Sequence, residues 1–330
     1  MCLWPLGWCD QAGSPGQARA PSGVYEVLGS AAEFVARTLV RDGMVVGLGA
    51  GPGAQLVTQQ LALRLKDPDD GLASLSCVAA SADAGACAAR LGLPLNTEAG
   101  VAPDILFIEA DLLQPDPLGM VKGRWVKNAK AGAWDALAQE KELAARAGQV
   151  VALVHERDVA PLSGAVPVEV DPACWEEAYE ELDDLFVGDA EIWRRAAEGG
   201  LLMNDGGEAP YVTPRGNYIL DVIFEARDGS DERLPCHDVD AAVASIEATQ
   251  GVVAHGLWTR RAVDLVAVAG EQGISMCPLE EADGGEQNVR ESYAGWTQGG
   301  QSDGEGQDEE SDVVDADVQA NRAERRGDAP

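Results

Sequence analysis

Histidine, aromatic rings, paired cysteines and positive charge are all scarce in this 330-residue chain. Only His155, His237 and His255 occur, far apart, which argues against a histidine-rich metal centre. The seven cysteines are an odd number and form no CxxC pair, which argues against a disulfide framework or a zinc site and favours a reducing compartment. No apolar run approaches the ~18 residues that a membrane span needs. Lys and Arg total 24 against 56 Asp and Glu, a net charge of −32. Such a surface repels nucleic-acid phosphates and anionic membranes, so neither is an expected partner. It also repels a small anionic substrate, so a site for one needs a local cation or free backbone N–H groups. The first 22 residues lack the basic start and long apolar stretch of a secretory signal. They read as a disordered extension, with a cytoplasmic location expected and a plastid address as the alternative.

What is present is alternation. Ser30 and Glu33 have capping-box spacing ahead of an apolar stripe at Ala32, Val35, Ala36 and Leu39, which predicts a helix over 30–41. Residues 44–48 read as a short buried strand, Gly47, Gly49, Gly51 and Gly53 as a turn, and 55–65 as a helix. Strands follow at 75–80, 105–108 and 150–154, with helices over 84–91 and 133–147. This order predicts an α/β fold: a mostly parallel sheet flanked by helices. The pattern then changes to an acidic helix at 176–186, strands at 211–213 and 217–224, and a helix capped by Asp238. Strand-like runs return at 252–258 and 262–268.

The expected organisation is a disordered extension over 1–22 and an α/β domain over 23–160 plus 251–270. A smaller α+β domain over 161–250 is inserted, and a disordered acidic C-terminal tail spans 271–330. Residues 280–330 hold 15 acidic and 4 basic residues, a composition that cannot bury enough apolar surface to offset chain entropy.

Five segments, in order, carry a family resemblance: MVVGLGAGPGAQLV at 44–57, DILFIEAD at 104–111, PVEV at 167–170, YVTPRGNYILDVIF at 211–224 and GVVAHGLWTRRAVDLVAVAG at 251–270. Together they resemble type A ribose-5-phosphate isomerase over roughly residues 24–270. The resemblance implies interconversion of ribose 5-phosphate and ribulose 5-phosphate through an enediolate, without metal or organic cofactor. It also implies a homodimer or tetramer. The chemistry calls for a held phosphate, an opened ring, a carboxylate base and a donor near the oxyanion.

Carried over residue by residue, the resemblance places Gly49, Ala50, Gly51 and Gly53 at the phosphate loop, with Ser81 and Arg157 at further substrate contacts. It places Asp111 on the second aspartate of the family's DGAD motif and Ile108 on the first; Glu109 stands one place along. It places Glu140 on the catalytic base. The matching lysine is Lys122 by its KGR context or Lys130 by its spacing to Glu140, with Lys127 a third candidate. Ala50, Pro52 and Gly53 replace the loop's hydroxyl residues, and Pro52 removes an N–H outright. Two readings follow: an active isomerase with Glu140 as base, Lys122 or Lys130 as electrophile and Asp111 as ring-opening helper, or a non-catalytic homologue that keeps the fold as a binding protein. A substrate without phosphate is a third.

Overall fold

A computed structural model describes residues 22–115, 118–124, 136–197, 201–202, 209–224 and 239–278. The predicted extension, most of the acidic tail, Lys127, Lys130, His237 and Asp238 lie outside the described residues.

The chain opens with helix α1 (Ser22–Leu39), strand β1 (Val45–Leu48), helix α2 (Pro52–Lys66), strand β2 (Ser76–Ala79) and helix α3 (Ala82–Leu91). The first helix starts earlier than its predicted cap. Ser30 sits in mid-helix, where its hydroxyl donates to the Glu26 carbonyl at 3.1 Å, so it caps nothing. Strands β3 (Ile105–Glu109), β4 (Leu112–Gln114) and β5 (Gly119–Val121) follow, then helix α4 (Leu137–Ala144) and strand β6 (Gln149–His155). Strand β7 (Gly164–Val170), helix α5 (Trp175–Leu185), strands β8 (Ala190–Arg195), β9 (Leu201–Leu202) and β10 (Tyr218–Phe224) and helix α6 (Val239–Ala248) come next. The last strands are β11 (Val252–His255), β12 (Leu257–Thr259), β13 (Leu265–Gly270) and β14 (Gly273–Pro278).

Six strands form the main sheet in the order β14-β13-β6-β3-β1-β2. All neighbours are parallel except the β13–β14 hairpin. Side chains alternate across it as the pleat requires. Ile105 and Phe107 of β3 face the layer of α1 and α2, together with Val46, Leu48, Val151 and Leu153. Leu106 and Ile108 face the opposite layer, with Val150, Ala152, Leu143 of α4 and Trp258 of β12. Both faces are covered, which is why these strands read as continuous apolar runs.

A five-stranded sheet, β11-β7-β10-β8-β9, is antiparallel throughout and carries α5 and α6. A three-stranded sheet, β12-β5-β4, bridges the two. The run expected as one strand at 252–258 is broken at Gly256, whose N–H donates to the Pro167 carbonyl at 2.7 Å while its carbonyl accepts from the Lys122 N–H at 2.8 Å. Val252–His255 therefore pairs with β7, and the chain rejoins the main sheet only at Leu265. The predicted loss of structure at 271 also comes later. Ile274 and Met276 pack on the core from β14, which closes the sheet edge. Among the described residues no helix is long and apolar enough to cross a membrane.

Candidate active site

The sheet order places a topological switch between β1 and β3: the chain leaves β1 toward β2 on one side and returns to β3 on the other. Open α/β sheets form their ligand crevice beyond the carboxyl ends of the strands at such a point. The Gly49–Gly53 turn follows β1, Glu109 ends β3 and Asp111 lies just past it. Ser81 follows β2 and Arg157 follows β6.

The turn is tight for steric reasons. Gly51 has φ 106°, a conformation that L side chains rarely adopt, and a Cβ there would lie 2.5 Å from Glu109 Oε2. A Cβ on Gly49 would strike the Phe107 carbonyl oxygen. Pro52 opens α2 at the first helical position, where a missing N–H costs the helix nothing.

Helix α4 brings Glu140 to this turn. Glu140 shares the inward stripe with Leu137, Leu143 and Ala144, so the 3.6-residue repeat buries a carboxylate among apolar neighbours. Its Oε1 accepts from the Ala50 N–H at 2.6 Å, and its Oε2 lies 3.2 Å from Lys122 Nζ. Lys122 stands immediately after β5, where β12 and the β4–β5 hairpin fix it. Its ammonium also donates to the Ala50 carbonyl at 2.7 Å and to the Glu109 carbonyl at 3.1 Å. Both side chains are buried, Glu140 at 0% and Lys122 at 4% exposure, and two buried charges persist only when paired and hydrogen-bonded. Burial pushes the Glu140 carboxyl above its usual range, opposed by Lys122 and the Ala50 N–H.

Asp111 lies on the rim. Its Oδ2 accepts from the Arg124 N–H at 2.8 Å. Burial raises its pKa, with Lys122 and Arg124 acting in the other direction. Arg195 of β8, in a buried ion pair with Asp221 of β10, donates to the Gly123 carbonyl at 3.1 Å, so the antiparallel sheet braces the segment that carries Lys122.

The remaining candidates separate. Ser81 caps α3, its hydroxyl accepting from the Ala84 N–H at 3.1 Å. Arg157 is about half exposed and its guanidinium turns to Asp158 at 3.4 Å. Ile108 is buried in the core, packed in the apolar layer that includes Leu143 and Ala144 of α4. Glu109, one place along from the position matched to the first aspartate, does reach the turn: its Oε2 accepts from the Gly53 N–H at 2.8 Å. Burial pushes its carboxyl up to about 7, and the Gly53 N–H and Lys122 oppose that shift. Strand parity was the available signal. Residues 105, 107 and 109 share the face that carries α2, whereas 108 does not.

Among the described residues no group of three or more His, Cys, Asp or Glu side chains is arranged to hold a metal ion. An open, mostly parallel α/β sheet with a carboxylate–ammonium pair buried at its switch-point turn defines the class: an α/β protein whose ionisable groups gather at the strand ends where such sheets bind ligands. The chain belongs to the ribose 5-phosphate isomerase A (phosphoriboisomerase A) family, whose model matches residues 76–273. It is 34% identical over 250 residues to ribose-5-phosphate isomerase A of Thermomicrobium roseum, covering 74% of this chain and 91% of that protein. It is 31% identical to the probable chloroplastic ribose-5-phosphate isomerase 3 of Arabidopsis thaliana, over 72% of this chain and 78% of the relative. Among solved structures, ribose 5-phosphate isomerase A from Methanocaldococcus jannaschii superposes with a TM-score of 0.62 at 26% identity, covering 77% of this chain and 98% of the other. A D-ribose-5-phosphate isomerase in complex with phospho-erythronic acid superposes with a TM-score of 0.61 at 27% identity, over 77% of this chain and 98% of that one.

Proposed function

We propose that the chain is an aldose–ketose isomerase interconverting ribose 5-phosphate and ribulose 5-phosphate. The observation that carries this reading is the Glu140–Lys122 pair, held 3.2 Å apart against the backbone of the glycine turn. The relatives that the chain matches bear the isomerase name.

In this reading Glu140 takes the proton from C2 of the open-chain sugar and returns it to C1. Burial suits it to the task, because a carboxylate whose pKa is raised is a stronger base. The Lys122 ammonium faces the enediolate oxygen and stabilises its negative charge in a water-poor setting. Asp111, at the rim, serves ring opening. The contact with Glu140 supports Lys122 in the lysine role, since among the described residues it is the lysine that meets that carboxylate.

Glu140→Gln keeps the shape and removes the base. Turnover of ribose 5-phosphate by the purified variant should fall by at least about a hundredfold, the typical contribution of a general base. Turnover that survives the substitution overturns the assignment of Glu140.

A further inference from the structure

In the Gly49–Gly53 turn the protein's own acceptors already hold several of the N–H groups that an incoming anion would use. Gly49 N–H donates to the Phe107 carbonyl at 2.9 Å, Ala50 N–H to Glu140 and Gly53 N–H to Glu109, while Pro52 has no N–H to offer. Two of these acceptors are carboxylates. Glu140 is tied down by Lys122, whereas among the described residues the Glu109 carboxylate accepts its hydrogen bond from the Gly53 N–H alone. The Glu109 side chain lies against both glycines, 2.5 Å from a Cβ built on Gly51 and 3.2 Å from one built on Gly53. A side chain at position 53 would press on the Glu109 carboxyl and shift it by a few tenths of an ångström, so the glycine there and the Glu109 contact suit each other.

We propose that Glu109 is a specificity-determining residue of the glycine turn: its carboxylate acts as an internal ligand at the Gly53 N–H, and an anionic group enters the turn only when Glu109 gives up that bond or its charge. The inference rests on the sugar-phosphate reading for its biological meaning, but the competition at Gly53 is a property of the turn itself. The charged groups facing Glu109 are Lys122 after β5, Asp111 after β3 and Asp158 after β6, with Glu140 of α4 beyond Lys122. The two aspartates oppose its ionisation and Lys122 favours it. Near neutral pH the side chain therefore passes between a neutral acid, able to donate a hydrogen bond to an oxyanion, and a carboxylate that repels one.

Sulfate is the suitable probe, because it stays a dianion from pH 6 to 8 while phosphate titrates across that range. Sulfate binding by calorimetry is compared between the full-length protein, Glu109→Gln and Glu109→Ala at both pH values, with circular dichroism checking that each variant folds. With a carboxyl near 7, only about a tenth of the wild-type protein carries a neutral Glu109 at pH 8, so the apparent affinity drops by about tenfold from its neutral-acid value. The expected result is that both variants bind sulfate about tenfold more tightly than wild type at pH 8, with the gap closing at pH 6. In parallel, the variants should show a lower KM for ribose 5-phosphate at pH 8. Equal sulfate affinities at both pH values, or no sulfate binding by any of the three proteins, overturns the proposal. A sulfate result as expected in a protein that does not turn over ribose 5-phosphate leaves Glu109 as the gate of the turn and removes the isomerase reading instead.

Discussion

Lys122 serves three partners at once, donating to the carbonyls of Ala50 and Glu109 and forming an ion pair with the Glu140 carboxylate. That arrangement makes it structural as well as chemical. Lys122→Met removes the counter-charge and strands a carboxyl at 0% exposure. Breaking one side of a buried pair typically costs 3–5 kcal/mol, in the range of roughly 5–15 kcal/mol for total domain stability. The expected outcome is a clear fall in melting temperature together with loss of ribose 5-phosphate turnover. Glu140→Gln, which loses the charge but keeps a hydrogen-bonding group, should lose turnover with a much smaller fall in melting temperature. Scanning calorimetry on both variants checks the contrast, and equal stability losses would show that the ion pair has no special cost when broken. At this scale the sequence was readable in part. Glu140 was reachable only through the family resemblance, because a Glu–Lys pair on an amphipathic helix reads equally well as an exposed face. The choice between Lys122 and Lys130 could not be made from spacing, because the interval to Glu140 is long and spacing carries no information across an irregular loop. Glu109 stands one place out of register in an ungapped match, although the period of a strand decides which face a residue serves.

Helix α4 is anchored a second time, one residue beyond Glu140. Lys141 Nζ lies 2.8 Å from Nε2 and 3.2 Å from Nδ1 of His255 on β11, and it donates to the Leu257 carbonyl at 3.1 Å. His255 Nε2 lies 3.1 Å from the Glu247 carboxylate of α6. A neutral ring with its proton on Nε2 donates to Glu247 and accepts from Lys141 at Nδ1, so one tautomer serves both partners. Burial and the adjacent Lys141 push His255 down to about 2, and burial lowers Lys141 to about 7. The sign of the consequence follows from proton counting. Between pH 6.5 and about 2 the unfolded chain binds a proton at His255 that the folded chain does not, so this residue destabilises the fold as pH falls below 6.5. The raised carboxyls of Glu109, Glu140 and Asp111 act in the opposite direction, so the histidine contribution has to be isolated by difference. From pH 6.5 to 5 the stability advantage of wild type over His255→Gln should shrink by about 1.6 kcal/mol, less than the full 1.36 kcal/mol per pH unit because the unfolded histidine is only half protonated at pH 6.5. Urea unfolding of both proteins at the two pH values measures this, and a constant difference would place the histidine charge elsewhere. The helices and parallel strands of this layer were legible because each has a strong apolar period. Strand β14 was not. Its I-S-M alternation is short, and it becomes a strand only because β13 offers an edge for a hairpin.

The whole molecule sets a problem that the local geometry does not solve. Net charge is −32, and 15 acidic against 4 basic residues sit in positions 280–330 alone. A phosphorylated sugar carries a charge near −2 at neutral pH, so the protein's long-range field opposes its approach. Close to the turn, Lys122 is already committed to Glu140 and backbone carbonyls, so it attracts at short range only. The field extends about a Debye length, roughly 30 Å at 0.01 M ionic strength and 8 Å at 0.15 M, so salt removes the distant repulsion first and leaves the buried pair nearly untouched. An enzyme whose cleft steers its anionic substrate slows as salt is added. This one should do the reverse: kcat/KM for ribose 5-phosphate should rise severalfold as sodium chloride goes from 10 to 150 mM, with kcat changing little because the buried charges that carry the chemistry are poorly screened. Initial-rate measurements over that range, repeated with potassium acetate to separate screening from chloride binding, decide the matter. A fall in kcat/KM with both salts would mean that a basic surface around the crevice outweighs the acidity of the chain as a whole.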